Sequence, residues 1–171
     1  MQFLMGGWMM KRYLVMGMAL MMLSGCGAAE TYETMADELI QSVMVQPKEV
    51  RLQLPEEAVL PAMESENGTL YICKDYDVTV QILPGGDLQQ TVLEISGYTP
   101  EDLTLIETAV GSMTQYDFVW TSAADGGEQI NRASILDDGS YHYVLTAMTD
   151  AELAEEYREI WNGMFETFGL A

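Results

Sequence analysis

From Gln115 to Ala147 apolar and polar positions alternate with period two. In QYDFVWTS the aromatics Tyr116, Phe118 and Trp120 alternate with Asp117, Val119 and Thr121, and EQINRASIL and YHYVLTAM continue the pattern. Asp125-Gly126-Gly127 and Asp138-Gly139 separate the runs and read as hairpin turns, so the spacing predicts an antiparallel meander of three strands. Its aromatic face is expected to meet a helix, and the chain supplies one directly afterwards. Leu153, Tyr157, Ile160, Trp161, Met164, Phe165 and Phe168 recur at helical spacing, and Thr149 with Glu152 reads as a capping box. A fully buried large apolar side chain contributes ~1.5–3 kcal/mol, so this stripe is expected to be core packed on the sheet rather than a ligand groove.

Upstream the period changes twice. Met35, Leu39, Ile40, Val43 and Met44 in MADELIQSVMVQ (Met35 to Gln46) predict an amphipathic helix, capped by Thr34, with Asp37 at its third position and Pro47 beyond its end. EVRLQL, TLYICKD and YDVTVQIL then read as strands, with Asn67-Gly68 as a hairpin turn and Pro84-Gly85-Gly86 closing the run. Leu88, Val92, Leu93 and Ile95 place a helix over Asp87 to Ser96, terminated by a left-handed Gly97. Thr99-Pro100-Glu101-Asp102 reads as a helical turn with a capping hydroxyl, and LTLIETAV as a strand. The sum is an α+β fold: an antiparallel sheet of six to seven strands flanked by an N-terminal helix, a middle helix and a long amphipathic C-terminal helix.

The first 26 residues follow another rule. Lys11 and Arg12 are their only charged side chains, and Tyr13 to Leu23 is an unbroken apolar run. Spanning a bilayer takes about 20 apolar residues, so this run fits the hydrophobic region of a secretory signal. Met9 or Met10 is a plausible start, which would bring the two basic residues to the front of that signal. Leu23-Ser24-Gly25-Cys26 resembles the lipobox of bacterial lipoproteins. That resemblance implies a diacylglyceryl group on the Cys26 thiol, cleavage just before it, and localisation on the extracytoplasmic side of a membrane. A cleaved signal with an incidental cysteine, or a short membrane anchor, are the competing readings. Two acyl chains suffice for stable anchoring where one does not. The expected organisation is a signal peptide over 1–25, a lipidated tether over 26–34 and one domain over 35–171.

Charge narrows the partners. After Cys26 the chain carries all 27 acidic side chains but only Lys48, Arg51, Lys74, Arg132 and Arg158, a formal charge of −22. This opposes nucleic acid and anionic lipid surfaces and favours a protein, a cation, or a cationic or neutral ligand.

Candidate chemistry is sparse. Cys73 is the one mature cysteine besides Cys26 and is expected to be a buried, inert thiol. His142 is the only histidine, there is no Gly-x-Ser-x-Gly elbow, and one His with one Cys makes no zinc ligand set, so His142 is expected on a sheet face or the surface. The carboxylate groups Asp75 with Asp77, Asp137 with Asp138, and Glu152 with Glu155 and Glu156 lack a calcium-loop pattern, and no glycine loop carries the Lys-Ser/Thr ending of a phosphate cradle. No enzyme activity and no cofactor are expected.

From about Glu49 to Leu170 the chain resembles the PsbP-like fold group, through RLQLP, the meander YDFVWTSA to ILDDGSYHYVLTAM, and the helix ending WNGMFETFGL. Members of that group serve unrelated, mostly accessory or binding roles, so the resemblance implies an antiparallel sheet flanked by helices and no site residues. The function expected is a membrane-anchored lipoprotein that binds as an accessory to an envelope or membrane protein complex. The alternative is a small-ligand or cation-binding lipoprotein serving a transporter.

Overall fold

In the computed structural model of the chain, residues 45–58, 60–124 and 126–171 are described. The predicted meander forms as β6 (Met113–Ala124), β7 (Gly127–Asp137) and β8 (Tyr141–Asp150), counted in chain order after β1 (Val50–Arg51), β2 (Met63–Ser65), β3 (Gly68–Ile72), β4 (Tyr76–Pro84) and β5 (Ile106–Val110). Seven of these strands make one antiparallel sheet in the order β2-β3-β4-β8-β7-β6-β5. Helix α1 (Leu88–Ser96) lies on the connection from β4 to β5, and α2 (Ala154–Thr167) follows β8. A two-residue β9 (Gly169–Leu170) closes the chain against β1. The fold is therefore α+β, with a long C-terminal helix and, from LTLIETAV, only Ile106–Val110 as an edge strand.

Register decides which core each helix covers. Leu136 pairs with Tyr143, and these side chains, with Tyr76, Val78, Leu145 and Ala147, bury against Tyr157, Trp161, Met164, Phe165 and Phe168 of the C-terminal segment. Ile135 pairs with Val144 on the opposite face, where Phe118, Trp120 and Ala133 pack with Val92 of α1. The aromatic face of the meander thus meets the middle helix, not the C-terminal helix it was expected to meet. The reason is parity: a period-two strand that points Phe118 and Trp120 one way must point Asp117 and Val119 the other. The face of β6 that looks toward α2 is therefore only half apolar.

Helix ends depart from expectation in detail. Asp87 Oδ1 accepts the Gln90 amide at 3.0 Å to start α1, and Gly97 ends it at φ +77°, a conformation that costs glycine nothing. The capping box does not form. Thr149 is buried inside β8 and its hydroxyl donates to the Asp75 carbonyl at 2.7 Å, while Glu152 sits in a 3-10 turn, Ala151–Leu153, that precedes α2. The long-range acceptor outcompetes a local cap because it satisfies a carbonyl at the turn before β4. Thr99 likewise gives its hydroxyl to the Asp102 carboxylate (2.8 Å) instead of capping its turn.

The hairpin signal at Asn67-Gly68 is offset by one residue: Ser65 pairs with Gly68, so Glu66 and Asn67 are the loop and Gly68 is already strand. A Cβ at Gly68 would stand 2.9 Å from the Val80 carbonyl oxygen, and that close approach is what demands glycine. Of EVRLQL only Val50 and Arg51 form strand, while Leu52 and Leu54 pack against the core under α2. Within the predicted helix Met35 to Gln46, residues 35–44 lie outside the described residues, and Val45 and Gln46 are not helical. The segment after Val45 is tied to the β7-β8 turn: Tyr141 donates its hydroxyl to the Val45 carbonyl (2.8 Å), and the Lys48 amide donates to the Tyr143 hydroxyl (2.8 Å).

Candidate functional site

Because α2 covers β4, β8 and part of β7, it leaves the β5-β6 side of the same sheet face bare. A groove of about 610 Å³ opens there between α2 and β5 to β7, within the range of small-molecule pockets. Ile106, Val119, Ile130 and Trp161 are among its apolar lining, with Ile106 and Val119 well exposed at 62% and 55%. Its parity follows from the register: Ile106 pairs with Asp117 and Val119 with Arg132, so all four look toward α2.

Arg132 is the polar centre of this groove. Its Nη1 donates to Asn162 Oδ1 at 2.8 Å, and its guanidinium lies over the Phe165 ring, 4.2 Å from the centroid. These contacts orient the fork from behind. Among the described residues no carboxylate comes within 4.0 Å of it; Asp117 and Glu166 act on it only through space, and burial pulls its pKa down from the ordinary arginine value. The acids in the lining are otherwise engaged. Asp117 accepts Gln115 Nε2 at 3.1 and 3.3 Å, and Glu155 sits 3.2 Å from Arg158 Nη2. The indole N–H of Trp161, buried in the groove wall, finds no acceptor among the described residues.

The residues singled out from sequence lie elsewhere. Cys26 is outside the described residues. Cys73 is buried, and burial is the main cause pushing its thiol up, which keeps it protonated and unreactive. His142 is on a sheet face but sealed, 1% exposed, between β8 and α1. Its Nδ1 is 2.7 Å from Thr91 Oγ1, and its Nε2, with no hydrogen bond, is 3.7 Å from Asp137 Oδ2.

The carboxylate groups disperse. Asp75 accepts the Tyr157 hydroxyl at 2.7 Å and is pulled below the usual carboxylate range by that bond and then by Lys74, whereas burial pushes Asp77 up. Asp137 and Asp138 build the β7-β8 turn, accepting the amides of Gly139 at 2.7 Å, and of Ser140 and Tyr141 at 3.0 and 2.9 Å. Among the described residues no three His, Cys, Asp or Glu side chains gather as a metal site.

Sequence reasoning passed over Arg132 because EQINRASIL reads simply as an alternating strand. The available signal was its parity: an arginine placed between Ile130 and Ser134 on a face that also carries Leu136, in a chain with five bases after Cys26.

No protein-family model matches the chain. No curated protein matches it. Solved structures resemble it in part. A crystal structure from Bacteroides thetaiotaomicron VPI-5482 superposes with a TM-score of 0.48 at 12% identity, over 71% of this chain; the chain spans 45% of that protein's length. LpqN, involved in cell envelope biogenesis of Mycobacterium tuberculosis, gives 0.47 at 13% identity, covering 75% of this chain and 87% of LpqN. The cyanobacterial PsbP (CyanoP) of Synechocystis sp. PCC 6803 gives 0.46 at 10% identity, covering 87% and 99%. The resemblance to CyanoP and LpqN is structural and at low identity.

Proposed function

We propose that this chain is an extracytoplasmic lipoprotein, held to a membrane through a diacylglyceryl group on Cys26, whose domain works by binding as an accessory to an envelope or membrane protein complex. The observation that carries the reading is the groove beside α2: a sheet face left half bare, with exposed Ile106 and Val119 on its floor. A concave groove with an apolar floor and a few fixed polar groups is the usual form of a binding site. His142, the chain's single histidine, is sealed in the core and does not face the groove. A small-ligand receptor serving a transporter is the second reading, and the groove's volume favours it.

Two measurements test the proposal. Replacing Cys26 with serine should release the protein from membranes; persistent firm attachment would overturn the lipid anchor. Crosslinking in intact cells followed by mass spectrometry should recover a reproducible protein partner joined through β5, β6 or α2, and the absence of any partner would overturn the accessory role.

A further inference from the structure

The geometry points to the groove beside α2 as a receptor for a free amphiphile with a single anionic head, a carboxylate or phosphate monoester, its head on Arg132 and its apolar body along Ile106, Val119 and Trp161. The inference rests on the binding function proposed above and names its ligand class.

Three observations converge on it. A charge removed from water needs a partner and hydrogen bonds to offset its lost hydration. Arg132 is half-buried and held by Asn162 and Phe165, yet among the described residues only Nη1 has an acceptor and no carboxylate lies within 4.0 Å. A guanidinium fixed in this way presents its remaining N–H groups as a fork suited to carboxylate or phosphate.

Trp161, almost fully buried, adds an aromatic wall to the same groove. Ile106, Val119, Ile130 and Ala154 give the lining an aliphatic floor, matched to an acyl or aryl body rather than to a sugar or a bare ion.

Net charge argues the other way, toward cations and neutral ligands, but it is a sum over the whole chain. Inside the groove Asp117 is engaged by Gln115 and Glu155 by Arg158; Asp117 and Glu166 favour the Arg132 charge from a distance, but among the described residues no carboxylate pairs with it directly. The surrounding acidity has another effect. It repels an anionic bilayer surface, so the ligand is a monomer taken from solution rather than a headgroup in the membrane.

The test uses the full-length chain in phosphatidylcholine nanodiscs with a diazirine-bearing dodecanoate as photoprobe, and the labelled residues are mapped by mass spectrometry. Labels should fall on β5, β6 and the first half of α2. Dodecanoate and dodecyl phosphate should compete, and dodecyltrimethylammonium should not. Arg132→Met should weaken labelling by roughly tenfold or more, the loss of a hydrogen-bonded charge. Val119→Trp, at an exposed strand position that tolerates an aromatic, should block it by filling the groove. This second variant decides the matter if Arg132→Met fails to fold.

Labels scattered over the surface, equal competition by the cationic detergent, competition only by phosphatidylglycerol placed in the disc, or indifference to Val119→Trp would each overturn the proposal. Failure here with intact-cell crosslinks that Val119→Trp abolishes would leave the binding function standing and remove only the ligand class.

Discussion

Lys48 Nζ stands 2.8 Å from Asp138 Oδ2, joining the segment before β1 to the turn between β7 and β8 across 90 positions of sequence. The Asp138 side chain is only 5% exposed. Burial by itself would push its carboxyl up, but Lys48 and the Tyr141 and Ser140 amides outweigh it and hold the group down at about 2.

A depressed carboxylate stabilises the fold above its unfolded pKa of about 3.9, and that contribution is lost as pH falls through about 2. Asp138→Asn keeps an acceptor for the turn and discards the charge. The variant should lose about 1–2 kcal/mol at pH 7, and its disadvantage should vanish between about pH 4 and pH 2. Denaturant titrations across that range check this; a constant gap would show that the charge contributes nothing.

Tyr157 donates its hydroxyl to Asp75 Oδ2 at 2.7 Å and packs its ring on Tyr76, 4.8 Å between centroids. The bond to Asp75, then burial, push the phenol up to about 12. A raised phenol stabilises below its unfolded pKa of about 10 and ceases to as pH climbs through about 12. Tyr157→Phe should therefore be less stable than the wild type at pH 8, and the difference should shrink above about pH 10. Thermal midpoints followed against pH measure it, and a difference that grows with pH would contradict the assignment.

Two glycines should respond oppositely to a methyl group. Gly163 lies inside α2 with open space where a Cβ would go, so Gly163→Ala should stabilise by about 0.5–1 kcal/mol. Gly85 has the Ser140 carbonyl carbon 2.7 Å and the Tyr141 amide nitrogen 2.8 Å from the position of its missing Cβ. Both are backbone atoms that cannot swing aside, so Gly85→Ala should destabilise by about 1–3 kcal/mol. Chemical denaturation of the two variants distinguishes this from a generic glycine effect.

The sheet separates two cores, and their energetics should separate too. Val92→Ala on the α1 side should cost about 2 kcal/mol, and Met164→Ala on the α2 side about 2–5 kcal/mol. With no shared cavity, the double variant should equal the sum to within about 0.5 kcal/mol. A larger coupling would mean that the sheet transmits strain from one face to the other.

What could be read from the residues was whatever depends on local periodicity and turn chemistry. The meander, the α1 stripe ended by Gly97, the second part of LTLIETAV and the C-terminal helix all follow from spacings of two or 3.6 residues. The competing signals that failed were also local. Thr149 and Glu152 spell a capping box, yet Thr149 went to the Asp75 carbonyl 74 positions away; Asn67-Gly68 spells a turn, yet Gly68 serves the approach of Val80. Nothing in the neighbouring residues records such distant partners.

By itself the sequence determined the meander, the two helices that cover the sheet, the α+β class and the contrast between an apolar start and an acidic body. The tertiary structure alone decided which helix meets which face, because strand register sets side-chain parity across the sheet. With that choice came the site: Phe118 and Trp120 turned toward α1, so Val119 and Arg132 were left facing the gap beside α2. A groove is made of residues distant in sequence and of the space that packing fails to fill, and neither leaves a period to read.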